Sequence, residues 1–178
     1  MKTERLLLQR FSPDDWQALF AYLSRQDTAE EQLFGVIQDE SGRQGAADRL
    51  DSGDFWTVSL KDTGKVIGYL HLVRHAFDTW ELGYLLQREF WGKGYATETA
   101  EAMLSDVFSH QNAQCVTALC DPLNAASWKL LERLGMRRKG HLVKNIWFGR
   151  DENGSPIWQD VYEYRIQKEE WERKTKGI

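Results

Sequence analysis

Two cysteines in 178 residues give almost nothing for a disulfide framework to use. Cys115 and Cys120 fall in one apolar strand candidate, at an odd spacing that points them to opposite faces, so they cannot easily pair. They read as small buried residues of a protein kept in a reducing cytosol. Long apolar runs are missing too. No stretch approaches the length that crosses a bilayer, and Met1-Lys2-Thr3-Glu4-Arg5 lacks the apolar core of a secretory signal. The expectation is a cytoplasmic protein with no membrane partner. There is no excess of basic charge: 23 Lys and Arg stand against 27 Asp and Glu, for a net charge of −4. That argues against a nucleic-acid binder and suits a cationic partner. His71, His75, His110 and His141 show no metal-ligand spacing, so no metal is expected. Repeats, low-complexity tracts and linkers are absent. What remains is ordinary for one soluble domain over residues 1–178: 20.7 kDa, 42% hydrophobic and 28% charged, large enough for a real core.

The most informative segment is Glu89-Phe90-Trp91-Gly92-Lys93-Gly94-Tyr95-Ala96-Thr97-Glu98. It separates an apolar run, Trp80 to Leu86, from an amphipathic run, Glu98 to Ser109. Strand, small-residue loop, helix is an arrangement that offers backbone N–H groups to a phosphate, because the first helical turn has donors without internal partners and a favourable dipole. Gly92 and Gly94 let the backbone bend and come close to a ligand, and Ala96 leaves room. A pyrophosphate site on a cofactor follows. It is neither a P-loop, which needs two glycines five apart and then Lys-Ser/Thr, nor a dinucleotide fingerprint, whose third glycine is missing. An ordinary strand-to-helix turn would use the same glycines, so the loop alone leaves both readings open.

Strands are expected at Leu6 to Phe11, Phe55 to Leu60, Val66 to Val73, Trp80 to Leu86 and Val116 to Cys120, with two longer ones around His141 to Phe148 and Trp158 to Ile166. Ser12-Pro13-Asp14-Asp15 has the chemistry of a helix start, followed by an apolar stripe of Trp16, Leu19, Phe20 and Leu23. Asp27 to Arg49 is polar and helical in parts. Further helices are expected at Ala96 to Ser109, with Ala100, Met103, Leu104 and Val107 on one face, from Leu123 or Asn124 to Leu134, and from Glu169 to Lys176. This order predicts an α+β (mixed α/β) fold: a mostly antiparallel sheet of about seven strands flanked by helices.

Trp91-Gly92-Lys93-Gly94-Tyr95-Ala96 resembles the acetyl-CoA loop of the GNAT N-acetyltransferase superfamily, whose pattern is Gln/Arg-x-x-Gly-x-Gly/Ala. Gly94 and Ala96 take the two small positions, and Trp91 stands where Gln or Arg is usual, as in the branch resembling the RimJ and RimL ribosomal-protein acetyltransferases. Asn124-Ala125-Ala126-Ser127 followed by Leu131-Glu132-Arg133-Leu134-Gly135-Met136 resembles that branch's second signature, and Arg5-Leu6-Leu7-Leu8-Gln9 and Tyr162-Glu163-Tyr164 extend the match over nearly the whole chain. The resemblance implies a GNAT fold, in which strands on either side of the main helix splay and the cofactor's pantetheine lies in the gap. It implies acetyl-CoA as co-substrate and an amine acceptor: a protein N-terminus, such as that of a ribosomal protein, or a small molecule such as a polyamine or antibiotic. A homodimer is left open. The rival reading is a non-catalytic acyl-CoA sensor.

Within this frame Trp91, Gly92, Lys93, Gly94, Tyr95, Ala96 and Thr97 would hold the pyrophosphate, and the backbone of Tyr84, Leu85 and Leu86 the pantetheine or thioester. Glu81, in an otherwise apolar strand, is the expected general base, with a pKa raised by partial burial. Gly83, in the same strand, marks either a bulge or a packing contact. Asn124 caps a helix and, by the resemblance, also contacts pantetheine; Ser127 is the corresponding acid or thiol partner. Asp51, Asp54, Asp78 and Glu81 would form an acidic entrance for a cationic amine, or are simply surface charges.

Overall fold

The computed structural model of the chain describes residues 1–12, 15 and 53–177. The expected helix with Trp16, Leu19, Phe20 and Leu23, the helical parts of Asp27 to Arg49, and Asp51 lie outside the described residues. Seven strands form one sheet: β1 (Leu6–Arg10), β2 (Phe55–Leu60), β3 (Val66–Arg74), β4 (Thr79–Leu86), β5 (Cys115–Cys120), β6 (Arg137–Arg150) and β7 (Pro156–Gln167). Among the described residues three α-helices accompany them: α1 (Tyr95–His110), α2 (Ala125–Arg133) and α3 (Lys168–Lys176). The strand order is β1-β2-β3-β4-β5-β7-β6, so the fold is the expected α+β one.

Local chemistry sets the connections. Between β2 and β3 the chain turns at Lys61–Gly64, where Gly64 takes φ +70°, a conformation that costs other residues more. Between β6 and β7, Asp151 accepts the N–H groups of Asn153 and Ser155 at 2.9 Å each and closes the turn. These two strands run further than the sequence pattern indicates, because each supplies the other's backbone partners beyond the apolar residues. Among the described strands only β4 and β5 are parallel, since α1 carries the chain back to the same end of the sheet.

That parallel pair positions the site. It is joined only at Thr79↔Cys115, Trp80↔Val116 and Glu81↔Thr117. The β4–β5 pairing ends at Glu81, while β3 pairs the other edge of β4 in unbroken register from Trp80 to Leu86. Gly83 therefore marks no bulge against β3. On one face, Leu70, Leu72 and Leu82 pack with Ala100, Met103, Leu104 and Val107 of α1 and Leu130 and Leu131 of α2 in a single buried core. The α1 stripe is the one the periodicity predicts. Helix α3 joins it through Trp171, stacked on Phe108 at 6.2 Å. Alternation along the strands turns Tyr69 and His71 of β3 and Glu81, Gly83 and Leu85 of β4 to the opposite face.

Candidate active site

At the open end of the parting strands, β4 leads into the glycine loop and β5 leads into α2. Gly92 and Gly94 both take positive φ, +73° and +81°. A Cβ at Gly92 would meet nothing within 4 Å, so the loop's outer side is open. Gly94 caps α1 with no side-chain bond. The first helical bond runs from the Glu98 N–H to the Gly94 carbonyl at 3.0 Å, so the N–H groups of Tyr95, Ala96 and Thr97 have no helical acceptor. Trp91 does different work from a Gln or Arg: its indole N–H donates to the Leu86 carbonyl at 2.7 Å and folds the loop onto the end of β4. Lys93 lies in the exposed loop, its ammonium 5.2 Å from the centre of the Phe90 ring.

Arg5 is the residue the sequence reading left without a role. Its guanidinium donates to the Lys93 carbonyl at 2.9 Å and to Glu98 at 2.7 Å, and it lies 4.5 Å over the Tyr95 ring. Glu98 also accepts from the Arg5 N–H at 2.8 Å and the Thr3 hydroxyl at 2.5 Å. Partial burial pushes the Glu98 carboxyl up, but the bonds from Thr3 and Arg5 outweigh it and hold it below its ordinary value. Thr3 and Arg5, just before β1, thus pin the loop. No local signal announces this, because the partners lie 88 and 93 residues apart.

Across the opening, Asn124 caps α2 by accepting the Ser127 N–H at 3.0 Å, as its residue type predicts. The Tyr84 hydroxyl reaches from β4 to Ser127, 2.9 Å from its hydroxyl and 3.2 Å from its carbonyl. Burial pushes the Tyr84 phenol well above its usual range. Cys120 lies beside the same Ser127, and burial pushes its thiol up to about 11, so it stays a neutral thiol. Asn124, Ser127 and Tyr84 are thus brought together at the gap. Leu85 and Leu86 are buried beside it.

Glu81 lies on the other face, about one third exposed, at the last position of β4 that pairs with β5. Two histidines flank it: His71 Nε2 is 3.7 Å from one carboxylate oxygen and His75 Nε2 is 3.6 Å from the other. The expected rise in its pKa is not found. The His71 imidazole lowers it first, burial raises it, and the further pull of His71 and His75 leaves the carboxyl below its ordinary value. Burial alone predicts a rise; the neighbours brought in across the strand pair reverse it. Gly83 is the packing glycine of the two alternatives: a Cβ there would lie 2.0 Å from His71 Cε1. Phe55, Tyr69, Leu70, His71, Gly83, Tyr84 and Leu85 line a shallow depression at this point. Asp78 is paired with Arg74 at 2.5 Å, and so does not stand as a free acidic group at an entrance. Among the described residues no three His, Cys, Asp or Glu side chains are arranged to hold a metal. No described helix is long and apolar enough to cross a membrane.

The family described as "Acetyltransferase (GNAT) domain" matches residues 5–137. An uncharacterized N-acetyltransferase of Bacillus subtilis, YnaD, is 32% identical over 171 residues, covering 95% of this chain and 97% of its own. The crystal structure of a GNAT-family acetyltransferase from Bacillus anthracis is 30% identical with a TM-score of 0.80, covering 95% of this chain and 98% of that one. A spermidine N-acetyltransferase from Vibrio cholerae, solved with CoA and spermine, is 17% identical with a TM-score of 0.76, covering 94% and 98%.

Proposed function

The chain belongs to the GNAT family and is an N-acetyltransferase, and we propose that it acetylates a primary amine, in the first place the N-terminal α-amine of a ribosomal or other protein. The observation that carries the site assignment is the parallel pair that opens after Glu81, with the glycine loop at one lip and Asn124 at the other. In sheets with parallel strands, ligands gather where neighbouring strands diverge at their carboxyl ends.

The residues present fit acetyl-CoA, which supplies an activated acetyl thioester. Gly92 leaves the loop open and the N–H groups of Tyr95, Ala96 and Thr97 lack helical acceptors, which suits a pyrophosphate. Trp91 and Arg5 hold that loop in shape, and Lys93 adds positive charge beside it. The stretch from Tyr84 to Leu86, past the last β4–β5 pair, suits an extended amide-containing arm. Asn124 uses its carbonyl on Ser127 and still has amide N–H groups to offer such an arm. Ser127, backed by the Tyr84 hydroxyl, is the hydroxyl placed to meet the leaving sulfur. Glu81 puts a negative charge on the face from which a cationic amine would approach. A polyamine acceptor is the second reading, favoured by the same carboxylate.

Gly94→Glu tests the site. The new side chain sits at φ +81°, strains the turn and brings a carboxylate to the proposed pyrophosphate position. Calorimetric titration with CoA should show at least about a tenfold loss of affinity for a variant whose melting curve is still cooperative, the effect of about 1.4 kcal/mol. Unchanged CoA affinity sinks the assignment.

A further inference from the structure

Resting on the acetyltransferase reading, we propose that His71, not Glu81, takes the proton from the acceptor amine, with Glu81 orienting the imidazole and stabilising its protonated form. Of the three clustered side chains, His71 lies deepest. Its side chain is 18% exposed, against 36% for Glu81 and 50% for His75. Its ring occupies the space beside Gly83, with Cε1, Nε2 and Nδ1 at 2.0, 2.5 and 2.7 Å from where a Cβ would be. It is walled on the other side by Phe55 at 5.6 Å. Gly83 stands just past the point where β4 leaves β5, so the imidazole covers the strand segment nearest the opening.

Chemistry favours the imidazole as well. A general base works best with a pKa near the operating pH. An imidazole ordinarily titrates near ~6.5, a carboxyl near ~4.3, and the two histidines push the Glu81 carboxyl lower still. The spacing of 3.7 Å is that of an ion pair rather than a tight hydrogen bond. With Nε2 on the carboxylate side, Nδ1 is the nitrogen that takes the proton in this proposal. The acceptor ammonium gives one proton to Nδ1. The neutral amine then forms the new C–N bond as the C–S bond breaks, the sulfur leaves with the electron pair and takes up the second proton shed by the new amide nitrogen, and the imidazolium returns its proton to solvent. The groups facing this pair are Phe55 of β2 with Asp54 before it, Tyr69 of β3, His75 at the end of β3, and Thr117 of β5 with Arg165 of β7 beyond it.

The test uses the full chain, acetyl-CoA, and two probes, spermine and an alanine-led peptide, with pH–rate profiles for wild type, His71→Gln and Glu81→Gln. His71→Gln should lower turnover on the order of 10²-fold and remove the acid limb. Glu81→Gln should keep the acid limb and lower turnover by less than His71→Gln does. Proton NMR of the histidine ring signals, with His71 identified by its loss in His71→Gln, should show the His71 signals displaced in Glu81→Gln without any acceptor. Two results overturn the proposal. One is a His71 signal unmoved in Glu81→Gln; the other is a His71→Gln enzyme with wild-type turnover and acid limb. An acid limb lost only in Glu81→Gln returns the base to Glu81. Failure of wild type to bind CoA would instead strike the acetyltransfer reading, and leaves the NMR result standing by itself.

Discussion

Replacing Gly83 by alanine tests the packing and the chemistry together. The added Cβ would lie 2.0 Å from Cε1 of His71, 2.5 Å from Nε2 and 2.7 Å from Nδ1. Carbon atoms in ordinary contact sit ~3.5–4.0 Å apart, so the ring must retreat by roughly 1.5 Å or more. Two responses are open to it. If Phe55 holds the ring in place, the crowding costs about 1–3 kcal/mol, which in a domain of this size lowers the melting temperature by about 2–4 °C per kcal/mol. If the ring swings outward instead, stability is nearly kept but the His71–Glu81 spacing of 3.7 Å is lost. Turnover then falls toward that of His71→Gln, on the order of 10²-fold. The assay is a thermal melt paired with a pH–rate profile, both against wild type. A Gly83→Ala protein that melts within about 1 °C of wild type and keeps its turnover and acid limb would refute the reasoning, because both responses would have failed.

Asn124→Ala removes the bond to the Ser127 N–H at 3.0 Å and should cost about 1 kcal/mol of stability, seen as a drop of about 2–4 °C in melting temperature. A fall in CoA affinity measured alongside separates a pantetheine contact from a cap alone. Glu98 gives a pH prediction. Its folded pKa is lowered, so the stability it contributes is complete above the unfolded value and is lost as pH falls through the folded one. The melting temperatures of wild type and Glu98→Gln should differ at neutral pH and converge below about pH 4. A difference that stays constant down to pH 3 would show that the carboxylate does not titrate as the tether described here.

Local physics is what made much of this chain legible without coordinates. The periodicity of Ala100, Met103, Leu104 and Val107 gave α1 its buried face, and the same four residues are in the core. Asn124 was readable as a cap because capping is decided within a few residues. Gly92 and Gly94 marked the loop because only glycine takes a positive φ without strain, and both do. The family followed from such short patterns in a fixed order. Pairing across the sheet was not legible. Whether β4 and β5 part after Glu81 depends on the lengths and twist of two strands separated by α1. The choice between bulge and packing at Gly83 depended on which β3 residue lies opposite, and that residue is His71. The pKa of Glu81 moved opposite to expectation because burial of one residue was foreseeable, whereas the two imidazoles brought to it by the β3–β4 register were not. Arg5 and Glu98 illustrate the same division: each reads as an ordinary surface charge, and only the closing of β1 beneath the start of α1 makes them a clasp on the loop. Sequence set the elements and their caps, since those energies are local. The tertiary structure set the site's electrostatics, since Coulomb and contact energies depend on distance in space and not along the chain.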